Sequence, residues 1–262
     1  MEKDLKNFHA ALEKLSYNLG RDVLDLFKDF LEYVISLHSF SIKKDMSVYS
    51  RETIMLFYDV YRQWILLQNE MLLKNGHDWF DAFGTYFEIH SGQWSRRRKG
   101  QFFTPPHICD FMVRITVSES DSKLRIPDPA CGSGRLLIAS HAYNPKNFHY
   151  GMDIDKLCCL MTALNLMVHG ARGEVVWKNA LDPTDWRQGW SINPYIVQLK
   201  GIPHIAILEK ESSIIYYNDQ SWMNERKNKD MEKSKEMQRN FFNIKDQKIN
   251  FENKSEKANF DF

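Results

Sequence analysis

Apolar positions recur every three or four residues through most of residues 1–92, the spacing of amphipathic helices packed on one core. Leu5, Phe8, Leu12 and Leu15 predict one helix. Val23, Leu24, Phe27, Phe30, Leu31 and Val34 predict a second, with Gly20 between them as a C-terminal cap. A third is expected over 51–74, with Ile54, Phe57, Tyr61, Ile65 and Leu72 inward and Gly76 after it. Asp78 is the expected N-cap of a fourth helix through Ile89. No proline interrupts this stretch, which fits a helical bundle. The aromatics Tyr58, Tyr61, Trp64, Trp79, Phe80, Phe83, Tyr86 and Phe87 read as its core, with a base-stacking surface as the alternative.

Further along, the pattern changes to short apolar runs alternating with helical ones. Thr104 is expected to cap a helix whose first turn holds Pro105 and Pro106, with Ile108, Phe111, Met112 and Ile115 buried. Leu124 to Ile126 leads a strand into Asp128, and a helix follows from Leu136 to about His141. After the Asn144-Pro145 turn, Phe148 to Met152 is a second strand ending at Asp153. Asp155 caps a helix over Lys156–His169, with Leu160, Ala163, Leu164 and Met167 toward the sheet and Gly170 ending it. Glu174 to Trp177 is a third strand. Strands alternating with helices predict a parallel sheet of βαβ units.

Beyond that the signal thins. Asp185 to Trp190 does not read as a buried strand, and Ile205–Leu208 and Ile214–Tyr217 are the remaining strand candidates. From Asn218 the chain is rich in Lys, Asn, Glu and Asp, and reads as a flexible polar tail with one marginal helix over about 222–240. The expected fold is α/β, a shortened Rossmann-like sheet with an all-helical N-terminal domain. Its expected divisions are 1–92, 93–217 and 218–262.

Chemistry concentrates at Asp128-Pro129-Ala130-Cys131-Gly132-Ser133-Gly134, a tight turn between strand and helix. Glycines there let the backbone turn sharply and a ligand approach closely, and the helix start offers N–H donors. No Gly-Lys-Ser/Thr follows, which excludes a P-loop, and Leu137 stands where a nicotinamide fingerprint has its third glycine. The remaining acidic-x-x-x-Gly-x-Gly pattern suits S-adenosylmethionine (SAM), with Asp128 near its amino group. Asp153 lies at about the 20-residue spacing after Gly134 at which an acidic residue receives ribose hydroxyls. A plain strand-to-helix turn is the alternative.

Together with Gly100-Gln101-Phe102-Phe103-Thr104-Pro105-Pro106, this loop resembles the DNA N6-adenine methyltransferase family, specifically the modification (methylase) subunits of type I restriction systems. The resemblance covers roughly 95–182. It implies SAM as cofactor, contacted by Gln101, Phe103, Thr104 and Pro105 as well as by Asp128, Gly132 and Gly134. It further implies Asp153 on the ribose, Ile154 packed on adenine and Asn179 bonded to the adenine edge. Double-stranded, adenine-containing DNA and a specificity or other partner subunit are the implied partners. The family's Asn-Pro-Pro-Tyr/Phe motif holds the target adenine. Here Ser191-Ile192-Asn193-Pro194-Tyr195 lacks one proline, so Asn193, Pro194 and Tyr195 are catalytic candidates in an incomplete motif. The implied function is adenine-specific DNA methylation of restriction-modification type. The alternatives are a catalytically degenerate SAM-binding or DNA-associated accessory subunit and, more remotely, an RNA or protein methyltransferase.

Composition adds limits. A net charge of +1 and a pI of about 7.7 provide no global field for nucleic acid, so any DNA attraction must be local, with Arg96-Arg97-Arg98-Lys99 as the candidate patch. Cys109, Cys131, Cys158 and Cys159 show no metal-ligand spacing and read as buried filling in a reducing compartment. The absence of a long apolar run leads us to expect no membrane partner and a soluble, cytoplasmic chain.

Overall fold

Two right-sized crossovers build the sheet. The chain runs β1 (Arg125–Asp128), α6 (Arg135–Tyr143), β2 (Phe148–Asp153), α7 (Lys156–Val168) and β3 (Arg172–Trp177). The three strands are parallel neighbours in the order β1-β2-β3, with Arg125 beside Phe148 and Phe148 beside Arg172 at one edge. Asp128 and Asp153 close β1 and β2 at the other edge, and Trp177 sits beside Asp153. The protein is described from a computed structural model, which defines residues 4–74, 78–90, 103–117 and 123–233. The expected boundary at 92/93, Gln101 and the Arg96–Lys99 run lie outside these residues.

The sheet continues past β3 with a change of direction. β4 (Gln188–Ile192) is antiparallel to β3, pairing Trp177 with Gln188 and Gly173 with Ile192, and β5 (Ile205–Ile207) is antiparallel to β4. β4 corrects the reading of 185–190 as non-strand: Gly189, Trp190 and Ile192 are buried by their neighbours rather than by a clear alternation of their own. A 3₁₀ turn, Lys210–Ser212, leads to α8, residues 214–233. The strand expected over Ile214–Tyr217 is therefore helical. The amides of Ile214 and Ile215 bond the buried Glu174 carboxylate, which stabilises that helix start. Contacts divide the chain into two units after Ile215, and of the second unit residues 216–233 are described, all helical.

The N-terminal bundle contains, among the described residues, α1 (Lys6–Leu19), α2 (Val23–Leu37), α3 (Arg51–Lys74) and α4 (Ala82–His90). Gly20 ends α1 in the left-handed conformation at φ 60°, and Asp22 caps α2 by accepting from the Leu24 amide at 2.8 Å. On α3 the buried side is Phe57, Val60, Trp64, Leu67 and Met71, turned from the expected stripe, whose Ile54, Tyr61, Ile65 and Leu72 are only half-buried. The aromatics are mostly core. Trp64 stacks on Phe83 at 4.7 Å and Tyr86 meets Phe8 edge-on at 5.0 Å, arrangements worth about 0.5–1.5 kcal/mol each beyond area burial. One continuous hydrophobic core joins these side chains to Leu160, Leu164 and Met167 of α7.

Two helix starts differ from expectation. Helix α4 begins at Ala82, and Asp81, not Asp78, accepts the Gly84 amide at 2.7 Å. Helix α5 (Pro106–Thr116) has Pro105 at its N-cap and no side-chain cap, so Thr104 does not cap it. Its buried side is Cys109 and Val113, followed by Val117, while Ile108, Phe111, Met112 and Ile115 are exposed by 38–65%. The predicted face is thus reversed: small side chains face the protein here, where they let α5 approach α6 closely.

Candidate cofactor-binding site

The turn between β1 and α6 adopts its shape because two of its residues are glycine. Gly132 has φ 56° and Gly134 φ 86°, a region L-residues rarely occupy. A Cβ on Gly132 would lie 2.8 Å from the Phe103 ring, and one on Gly134 would lie 3.0 Å from the Thr162 side chain. The first glycine therefore admits the segment before α5, and the second admits α7.

Hydrogen bonds fix the loop from several directions. The Cys131 amide donates to Met152 O at 2.9 Å, Thr162 Oγ1 to Gly132 O at 2.9 Å, and Asn165 Nδ2 to Ser133 O at 2.8 Å. The Gly132 amide donates to Asp153 Oδ2 at 3.0 Å, while Asp153 Oδ1 accepts the Asp155 amide at 2.8 Å. Asp153 thus links the end of β2 to the glycine loop, and Asp155 caps α7 through the Leu157 amide at 2.9 Å. Asp128 Oδ1 accepts the Ala130 amide at 3.1 Å.

The electrostatics at this edge are unbalanced. Burial pushes the pKa of Asp128 up, and the nearby Asp153 charge adds to the rise. Burial also raises Asp153, and its amide bonds work against that. No cation among the described residues pairs with Asp128. Two carboxylates held together in partial burial favour a ligand that carries positive charge and hydroxyl donors.

Sequence reasoning missed the residue that supports the loop from beneath. Asp81, 2% exposed, accepts from Ser133 Oγ at 2.5 Å, Arg135 Nε at 2.7 Å and Asn165 Nδ2 at 2.7 Å, besides the Gly84 amide. Arg135 also donates to Glu88 Oε2 at 2.7 Å and to the Thr104 carbonyl at 3.4 Å, under the Phe103 ring at 5.6 Å. Burial opposes its charge, but Asp81 and Glu88 outweigh that and raise its pKa. The available signal was an Asp placed to cap a helix, three residues before a glycine that has no room for a side chain.

The other predicted residues fall into two groups. Phe103, Thr104 and Pro105 lie beside the loop, Ile154 is 61% exposed just past β2, and Asn179 follows β3 with its Oδ1 accepting the Leu181 amide at 3.0 Å. Asn193, Pro194 and Tyr195 are elsewhere. They follow β4 at the edge where β3 begins, four residue steps or about 13 Å along the strands from the level of Trp177. Asn193 is fully buried at φ 50°. Its amide donates to Met167 O at 3.0 Å and Ala171 O at 2.8 Å, and its Oδ1 accepts the His204 amide at 2.8 Å. The Tyr195 ring stacks on His204 with centroids 6.0 Å apart. The Asn193 amide is thus engaged in a turn at the end of the strands opposite Asp128 and Asp153.

A model of the N-6 DNA methylase family matches residues 79–233, more than half of the chain. The chain belongs to the N-6 DNA methylase family. Among curated members it is 26% identical over 136 residues to the type I restriction enzyme MjaVII methylase subunit of Methanocaldococcus jannaschii, covering 44% of this chain and 23% of that protein. It is likewise 26% identical over 119 residues to the MpnII methylase subunit of Mycoplasma pneumoniae, covering 41% and 22%. The match thus spans less than a quarter of each of these relatives. Among solved structures, a putative class I S-adenosylmethionine-dependent methyltransferase from Listeria monocytogenes aligns with a TM-score of 0.47 at 16% identity, over 70% of this chain and 55% of that one. This N-6 DNA methylase family member has an α/β architecture and, among the described residues, no helix long and apolar enough to cross a membrane.

Proposed function

We propose that this chain is the cofactor-holding portion of an adenine-N6 DNA methyltransferase of restriction-modification type, and that it binds SAM at the edge formed by Asp128, the glycine loop and Asp153. The observation that carries the reading is the pair of partly buried carboxylates flanking a loop whose glycines have positive φ. Asp128 would hold the amino group of the methionine moiety, and Gly132 and Gly134 would shape the turn that receives that moiety, with Phe103, Thr104 and Pro105 beside it. Asp153 would receive the ribose hydroxyls, Ile154 would lie against adenine, and Asn179 would bond its edge. Gln101 belongs to the same set by sequence. SAM, when bound, supplies an electrophilic methyl group. The residues named here bind and orient it; none of them is placed to hold a target base.

Double-stranded, adenine-containing DNA is the proposed substrate, with a specificity or other subunit as partner and the cytoplasm as the place of action. Because Asn193 is at the opposite edge, the accessory form of this function is favoured: the chain binds SAM, and a partner chain supplies the acceptor groups for the adenine. Calorimetry should show SAM binding that Asp153→Ala weakens by roughly 1.5–3 kcal/mol, about tenfold or more. Unchanged affinity in that variant would remove Asp153 from the site. Labelled SAM should give no transfer to adenine-containing duplexes with this chain alone. Robust transfer by this chain alone would overturn the accessory form, and its loss in an Asn193→Ala protein that stays folded and binds SAM would make Asn193 catalytic.

A further inference from the structure

The turn between β3 and β4 contains an ion pair that the proposed site does not use. Arg187 and Asp185 face each other through two contacts, Nη2 to Oδ2 at 3.0 Å and Nε to Oδ1 at 3.2 Å. Each partner reaches a different segment. Arg187 Nη1 donates to the Ile154 carbonyl at 3.2 Å, and Asp185 Oδ2 accepts the Asn179 amide at 2.7 Å. Trp177 completes the arrangement: its Nε1 donates to the same Ile154 carbonyl at 2.9 Å, and the Arg187 guanidinium lies 5.3 Å from its ring centroid. Ile154 follows β2 and Asn179 follows β3, so the pair ties together the ends of two neighbouring strands.

We infer that Asp185 and Arg187, with Trp177, are positioning residues that set the gap between Ile154 and Asn179, and so select the adenine ring of an adenosine-containing cofactor. This rests on the cofactor reading above. The two side chains are 20% and 37% exposed, and an ion pair this open to water contributes little to stability. Its geometric effect is larger. A bidentate guanidinium–carboxylate pair is rigid, and here it fixes a carbonyl on one side of the gap and an amide on the other. The antiparallel course of β4 makes this possible, because it brings residues 185–187 back to the edge where β2 and β3 end.

The test compares S-adenosylhomocysteine with its hypoxanthine counterpart, S-inosylhomocysteine, by calorimetry on the whole chain. The wild type should prefer the adenine compound by about tenfold, the value of one discriminating hydrogen bond. Arg187→Met and Asp185→Asn should each lose most of that preference with an unchanged melting temperature. Trp177→Phe, which keeps a ring but loses the donor, should lose part of it. The double variant Asp185→Asn/Arg187→Met should be no worse than either single one, since one pair is broken in all three. A wild type that binds neither compound would sink the cofactor reading and this inference with it. A wild type that discriminates while Arg187→Met keeps the same ratio would overturn the inference and leave the cofactor reading standing. An equal loss for both compounds, with a lowered melt, would make the pair structural support and overturn it too.

Discussion

Asp81→Asn isolates the support beneath the glycine loop. The substitution keeps the shape of the side chain, removes its charge, and turns an acceptor into a donor in a place where four donors converge. Arg135, its main partner, has a side chain only 5% exposed, so its charge has little access to water. Breaking a buried ion pair by removing one partner costs about 3–5 kcal/mol. Glu88, 30% exposed and 2.7 Å from Arg135 Nη2, still neutralises part of the guanidinium, which places the expectation at the lower end, about 3 kcal/mol. For a unit of this size that corresponds to roughly 6–12 °C in melting temperature. Urea denaturation followed by circular dichroism should show the midpoint falling with little change in slope. Pairing the change with Arg135→Met should cost less than the sum of the two single effects, because the orphaned charge is then gone. An Asp81→Asn protein within about 1 kcal/mol of wild type would refute the reasoning, since no converging set of buried donors could then depend on that carboxylate.

Asn193→Ala should destabilise the fold by about 2 kcal/mol or more, because it removes the partner of the Ala171 carbonyl and of the buried His204 amide, while the Met167 carbonyl keeps the Gly170 amide; SAM affinity should be unchanged, and a stable variant with weakened binding would contradict the placement of this turn. SAM binding should weaken as pH falls through the raised pKa of Asp128. The free protein's Asp128 is protonated more readily than an ordinary carboxyl, and a cationic amino group favours the ionised form, so binding in mildly acidic buffer should release a proton. Calorimetry in buffers of different ionisation enthalpy would measure that release, which Asp128→Asn should abolish.

The parts of the molecule that were legible in sequence are those fixed by near neighbours. The glycine loop, the strand ending at Asp153 and the Asp155 cap of α7 all follow from spacings within one βαβ unit. What was illegible depends on distant partners. The stripe Ile108, Phe111, Met112 and Ile115 identifies a helix correctly, but which face turns inward is decided by close packing at Cys109 and Val113. Residues 188–192 form a strand because β3 offers them a partner, not because their own alternation demands it. Asp81 was given no part by the sequence pattern, which pointed to Asp78, and its burial becomes intelligible only with Arg135, 54 residues later.

The sheet order sets the glycine loop and the Asn193 turn at opposite ends of the strands. In a doubly wound sheet the fourth strand lies beside the first, and ligands bind where the order reverses. Among the described residues β1 has a neighbour on one side only, and the chain after β3 turns back to lie antiparallel beside it. That course is held in place by the helical bundle: the Ile205 amide donates to His38 O at 2.9 Å, and His38 Nδ1 bonds the Pro203 carbonyl at 3.3 Å. The residues that follow β3 therefore serve two purposes away from β1. Asp185 and Arg187 brace the end where β2 and β3 close, and Asn193 closes a turn at the other end. Restoring the second proline after Pro194 would lengthen a turn about 13 Å from the cofactor edge and bring no acceptor nearer to it. Under the proposed function, methyl transfer depends on groups that approach from the β1 side of the sheet.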